Sequence, residues 1–199
     1  MATPWQATLQ RKRVPFDELK MALTEAAASK QRNAAGRARQ SLVVVASLVD
    51  KVTNLAGIAR TCEIFAVQAL VLPSLAVVET DAFLGVAVSA ADWVPLEEVL
   101  PAGLPSYLRG MRRKGYTIAC LEQTSNSVSL ADCAMPEKCV LLLGREKEGV
   151  PVELLQEVDM CIEIPQYGVL RSLNVHVSAA LAIYEFSKES AVLGAAAAV

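Results

Sequence analysis

The sequence predicts an α/β fold: a mostly parallel sheet with helices on both faces. Three observations point there. The 199 residues are 53% hydrophobic but only 5% aromatic, so the core is built from Val, Leu, Ile and Ala, the filling of a sheet buried on both faces. Apolar runs of strand length recur along the chain, beginning with LVVVASLV at 42–49. These runs alternate with helix-like stretches, the pattern of β-α-β crossovers. A chain of this length buries a sizeable core as one domain without disulfides or structural metal.

Taken in order, residues 17–31 read as a helix capped by Asp17 and rich in alanine, part of an appended arm over residues 1–40. The β-branched run at 42–49 is the first strand of a body spanning 41–190. A polar turn follows, then an amphipathic helix from Asn54 to about Phe65, and ALVLP at 69–73 closes the first β-α-β unit. Residues 74–103 are less regular. Leu104 to Lys114 reads as a helix ending in Arg109, Arg112, Arg113 and Lys114. Strands are expected at 116–121, 139–144 and 160–165. A last helix runs from Asn174 to about Ser187, and 191–199 reads as a frayed tail without a role.

Several chemistries are excluded. Cys62, Cys120, Cys133, Cys139 and Cys161 form no C-x-x-C pair and mostly sit in or beside apolar runs, which indicates neither zinc nor a disulfide framework. No apolar run approaches the roughly eighteen residues of a membrane-spanning helix, and no signal-peptide layout opens the chain. A soluble intracellular protein is expected, cytoplasmic or nuclear, with no membrane partner. The turn after the first strand reads SLVDKVTN, not G-x-G-x-x-G, and no Walker A lysine occurs. The only histidine, His176, lies in an apolar helix, where a packed, hydrogen-bonded role outweighs catalysis.

Charge is uneven. Residues 1–40 hold eight basic side chains, among them Arg37 and Arg39, against Asp17, Glu18 and Glu25; the whole chain carries −2, so the arm is +5 and the rest −7. A basic arm on an acidic body suits polyanion capture through counterion release, and equally a solvated helical face. Removing the arm is expected to weaken polyanion binding.

Three strand-to-helix junctions combine small residues with hydrogen-bonding groups: TNLAGIAR at 53–60, LLLGREKEGVP at 141–151 and IPQYGVLRSLN at 164–174. In a parallel sheet such junctions converge on one edge and make a small-ligand pocket. Together they resemble the three signature motifs of the SPOUT superfamily, in its TrmH-like ribose methyltransferase branch. The first motif is met by Asn54 and Arg60 with Gly57 between, the second by Gly144, Glu146 and Gly149. The third is met by Ile164, Pro165, Gly168, Ser172, Leu173 and Asn174. KVTNLAGIARTCE, GREKEGVP and SLNVHVSAAL are similar, more narrowly, to the C-terminal methyltransferase domain of the eukaryotic TAR RNA-binding protein family.

The resemblance implies an S-adenosylmethionine-dependent methylation of a ribose 2′-hydroxyl in RNA, at guanosine 18 of tRNA, yielding S-adenosylhomocysteine without a metal. It also implies a C-terminal trefoil knot, a homodimer, and a longer parent chain. The cofactor is expected against the backbone of Leu121, Glu122, Gln123, Gly144, Ile164 and Leu173, with Gly149 beside it. Gly144 and Gly149 fit either close approach of backbone to a ligand or plain turn chemistry. The implied catalytic set is Arg60, Asn54, Glu146, Ser172 and Asn174. A guanidinium has no acceptor and stays protonated, so Arg60 is read as holding a phosphate or stabilising developing alkoxide, or else as a surface salt bridge. Asn54 orients the ribose, caps its helix, or both. Glu146 binds Arg60 or the cofactor region, or is surface charge; Arg171 is a candidate phosphate contact. The alternatives are an inactive RNA-binding module of the same fold, an rRNA methyltransferase, and an α/β nucleotide-binding protein unrelated to RNA.

Overall fold

The computed structural model describes residues 38–170 and 172–196. The expected arm, except its last three residues, and Arg171 lie outside them. Seven strands are present: β1 (Gln40–Val45), β2 (Val67–Leu72), β3 (Leu96–Glu98), β4 (Thr117–Leu121), β5 (Val128–Ser129), β6 (Cys139–Leu143) and β7 (Met160–Glu163). They form one sheet in the order β3-β2-β1-β6-β4-β7-β5, and every pairing is parallel. The helices are α1 (Val52–Ile64), α2 (Asp81–Ala87), α3 (Leu104–Arg113), α4 (Val152–Leu155) and α5 (Val175–Ala196).

Alternation along a strand sends successive side chains to opposite faces, and in β1 both faces are apolar. Leu42 and Val44 pack with Leu55, Ile58 and Cys62 of α1, Phe83 of α2 and Ala179, Ile183 and Phe186 of α5. Val43 and Val45 pack on the other side with Leu104, Leu108 and Met111 of α3 and Leu154 of α4. That two-sided core is why β1 and β6 are continuous apolar runs rather than alternating ones. Strand order reverses between β1 and β6: the chain steps outward from β1 through β2 to β3, while β4, β7 and β5 lie beyond β6. Loops leaving the carboxyl ends of β1 and β6 diverge there and leave a crevice.

The structure corrects several expectations. The stretch 74–103 holds α2, capped by Thr80, whose Oγ1 accepts the Phe83 N–H at 3.3 Å, and the three-residue strand β3. The last helix runs to Ala196 rather than stopping near Ser187, because the alanine-rich end that looked featureless has high helix propensity. Arg39, counted with the arm, is spent on the body: its guanidinium donates to Glu63 at 2.8 Å and to the Val67 carbonyl at 3.0 Å. At the end of α3, Arg109 pairs with Glu157, and Arg112 pairs with Asp159 at 2.9 Å. Among the described residues no helix is long and apolar enough to cross a membrane.

Candidate functional site

A cavity of about 580 Å³ opens at the carboxyl ends of β4, β6 and β7, beside the crevice, with Lys51 reaching it from the β1–α1 turn. Leu121, Glu122, Gln123, Gly144, Gly149, Ile164 and Leu173 line it, as do Glu146, Ser172 and Asn174. Lys51, Arg145, Lys147, Glu163 and Gln166 also line it. None of these five stands out in the sequence, because nothing in their local pattern separates them from ordinary exposed polar residues.

The second junction is a tight turn: Arg145 and Gly149 exchange backbone hydrogen bonds of 2.9 and 3.1 Å. A Cβ on Gly144 would lie 2.7 Å from the Gly149 carbonyl carbon. The crossing backbone of Gly149 and Val150 by itself requires glycine at Gly144. Gly149 has φ +72°, and a Cβ there would meet the Glu122 carboxylate at 2.2 Å. That carboxylate accepts the Val150 N–H at 2.8 Å and the Gln123 N–H at 3.1 Å. Glu122 thus fastens the end of β4 to the turn after β6, a side-chain role where only backbone contact was expected.

Glu146, Asn54 and Asn174 form one hydrogen-bonded chain joining all three junctions. Glu146 Oε1 accepts from Asn54 Nδ2 at 3.0 Å and from the Lys51 N–H at 3.2 Å, and Oε2 accepts the Asp50 N–H at 3.3 Å. Asn54 Oδ1 accepts from Asn174 Nδ2 at 3.1 Å. Asn174 Oδ1 accepts the N–H groups of His176 and Val177 at 2.9 and 3.4 Å, capping α5. Two expectations change. Asn54 is not the cap of α1; that position is Lys51, whose side chain makes no capping bond, and Asn54, buried at 7% exposure, spends both ends of its amide on the chain. Glu146 does not hold Arg60; it grips Asn54 and the backbone before α1. Burial, the largest influence on its carboxyl, would raise the pKa, but these hydrogen bonds together outweigh it and hold the group below the usual range.

Arg60 stands apart from this chain. It is exposed on α1 and makes no hydrogen bond or ion pair among the described residues. The alternative reading, a surface salt bridge, finds no partner there, and Arg60 does not line the cavity. Ser172 and Leu173 are exposed on the loop leading into α5. No group of three or more His, Cys, Asp or Glu suited to a metal occurs among the described residues. The five cysteines are free, and burial pushes the Cys139 thiol up to about 12, which disfavours nucleophilic chemistry.

The chain matches the model of the SpoU rRNA Methylase family over residues 41–184. It is 50% identical over 154 residues to the Mus musculus tRNA (guanosine(18)-2'-O)-methyltransferase TARBP1, covering 77% of this chain and 10% of that protein. It is 41% identical over 150 residues to a Saccharomyces cerevisiae tRNA (guanosine(18)-2'-O)-methyltransferase, covering 75% of this chain and 10% of that protein. The chain thus spans about a tenth of the length of these two relatives. Among solved structures, the A. aeolicus TrmH/SpoU tRNA modifying enzyme superposes with a TM-score of 0.73 at 26% identity, covering 86% of each chain.

Proposed function

The chain belongs to the SpoU rRNA methylase family, and from that membership we propose that it methylates a ribose 2′-hydroxyl of RNA, with S-adenosylmethionine as donor and guanosine 18 of tRNA as target. One observation carries the reading: a ligand-sized cavity at three strand ends lined by Glu146 and Asn174, which Asn54 bridges by hydrogen bonds. The similarity to the mouse and yeast tRNA enzymes supports tRNA over rRNA.

The cavity suits the donor in size, and it offers backbone groups at Leu121–Gln123, Gly144 and Ile164 for the base and ribose, with Gly149 and Leu173 closing it. The bound donor supplies an electrophilic sulfonium methyl. Around it, Asn54, Glu146 and Asn174 hold the first turns of α1 and α5 in register, and Ser172 meets the target ribose. Arg60 engages the target nucleotide: its guanidinium stabilises charge developing on the 2′-oxygen and leaves proton removal to an acceptor, since it has none of its own. The implied knot belongs to the same reading.

Calorimetry on the full chain is expected to show one S-adenosylmethionine per chain, with a thermal shift equivalent to about 2.7 kcal/mol at a hundredfold excess over Kd. Mass-spectrometric mapping after incubation with unmodified tRNAs is expected to find 2′-O-methylguanosine at position 18. No binding heat together with no thermal shift overturns the site; methyl found on rRNA alone moves the target.

A second copy of the chain completes the assembly. Val177, Leu181 and Tyr184 form an exposed stripe along α5 at helical spacing, 44, 42 and 54% accessible, and Tyr167, Val169 and Leu170 stand almost fully exposed on the loop before it. Among the described residues nothing covers this apolar surface, and a two-fold partner would bury it self-complementarily. Light scattering at micromolar concentration is expected to give twice the 21.3 kDa chain mass; a value of 21.3 kDa counts against the dimer.

A further inference from the structure

His176 is the only histidine in the chain, and no step above uses it. Its ring is half-buried at the start of α5, packed where α1 has no side chain: a Cβ on Gly57 would lie 2.5 Å from Nδ1 and 2.6 Å from Cε1. A glycine in mid-helix costs about 0.5–1 kcal/mol relative to alanine. Here its absent side chain is the ring's seat. One turn on, Thr61 Oγ1 lies 3.1 Å from His176 Nε2 and donates its hydrogen to the Gly57 carbonyl at 3.0 Å. With that hydrogen committed, Thr61 Oγ1 accepts from the ring, so Nε2 carries the imidazole proton. Thr61 is buried at 9% exposure.

The contact sits where it bears on Arg60. At 100° per residue, Gly57 and Thr61 share the face of α1 that meets α5, and Arg60 lies between them in sequence, on the flank of that same face. The Asn54–Asn174 bond ties α1 to α5 one turn earlier. Two attachments on successive turns fix both the depth of α1 and its rotation about its own axis. Either one alone leaves a pivot.

Resting on the reading that Arg60 engages the target nucleotide, we propose that His176 is a positioning residue for methyl transfer. With Gly57 and Thr61 it forms a latch between α5 and α1 that sets the rotation of α1 and thereby the reach of Arg60. The latch works with neutral imidazole. Protonation adds a hydrogen at Nδ1, the ring atom nearest Gly57, for which no described residue supplies an acceptor. The groups touching the ring from α1, Gly57 and Thr61, carry no charge. On α5 no other titratable side chain precedes Tyr184, and the charged residue nearest in sequence to the contact is Arg60 itself. Burial alone lowers the imidazole below its usual value. The folded state therefore binds the proton more weakly than the unfolded one, so the latch is intact above about pH 6.5 and is lost as pH falls through the lower folded value.

The test is single-turnover methylation by the full chain at saturating donor and RNA, read between pH 5 and 8 beside the NMR titration of the lone imidazole. His176→Ala is expected to lower the rate by about ten- to a hundredfold, the scale of a displacement near 1 Å, with donor affinity unchanged. Thr61→Val is expected to do the same, and the double variant to be no worse than either single one, since both break one bond. His176→Gln, whose amide donates to Thr61 at every pH, is expected to restore most of the rate and to abolish the acid limb. That limb in the wild type should coincide with the imidazole titration. Normal turnover in His176→Ala and Thr61→Val while Arg60→Ala is dead overturns the latch alone. Normal turnover in Arg60→Ala instead overturns the reading on which it rests. An acid limb persisting in His176→Gln, or a loss in His176→Ala and Thr61→Val traced wholly to unfolding or to donor affinity, also overturns the latch.

Discussion

Arg60→Ala is expected to leave S-adenosylmethionine affinity nearly unchanged and to cut single-turnover methylation by about two orders of magnitude or more, the scale of losing a key electrostatic stabiliser. The two halves of that expectation come from its place in the fold. Arg60 does not line the cavity, so no donor contact is removed with it. It is exposed and makes no bond among the described residues, so its loss costs folding little, within about 0.5 kcal/mol for such surface positions. A rate loss in this variant is therefore not a folding loss. Arg60→Lys should fail as well, because an ammonium point charge does not reproduce a forked guanidinium contact. Thermal melts and donor titrations alongside the kinetics complete the check. Near-normal turnover of Arg60→Ala at saturating RNA would move the transition-state role towards Ser172 and Asn174.

Much of the fold was legible because its strands are buried on both faces. A run such as Leu42–Val45, apolar at every position, fits a parallel sheet and little else, and its two faces do pack against different helices. β3 and β5 were not legible: at three and two residues they carry too little pattern, and both lie at sheet edges where one face meets solvent. At the site, spacing identified the residues but not their partners. Asn54 looks like a helix cap from sequence, since caps are local; what engages it comes from residues 92 and 120 positions away. Gly144 fits a ligand approach or a tight turn from sequence alone, and only the fold reveals that backbone crosses it. Arg39 was summed into a basic arm, and only the fold reveals that its charge is matched by Glu63. His176 was read as a packed, hydrogen-bonded residue, which it is, but its seat on Gly57 joins two motifs no local pattern could connect.

That backbone crossing gives the second large effect. Gly144→Ala is expected to weaken donor binding by tenfold or more, about 1.4 kcal/mol, and to lower the melting temperature at the same time. The methyl group would sit 2.7 Å from the Gly149 carbonyl carbon and 2.9 Å from both Gly149 Cα and Val150 N. All three are backbone atoms, with no flexible side chain to swing aside. The turn resists opening, because Arg145 and Gly149 are paired in both directions and Val150 N–H is held by Glu122. Relief must therefore either stretch the pairing or push Gly149 away from φ +72°, at a cost of about 1–3 kcal/mol typical of overpacking. Both routes move Gly144, Gly149 and the Glu122 tie, which together make one wall of the cavity. Arg60→Ala should show the opposite signature, intact binding with lost rate, so the pair separates holding the donor from acting on the target. Calorimetry and a thermal melt decide it. Donor affinity within twofold of wild type at an unchanged melting temperature would mean that the turn yields freely and that Gly144 does not shape the cavity wall.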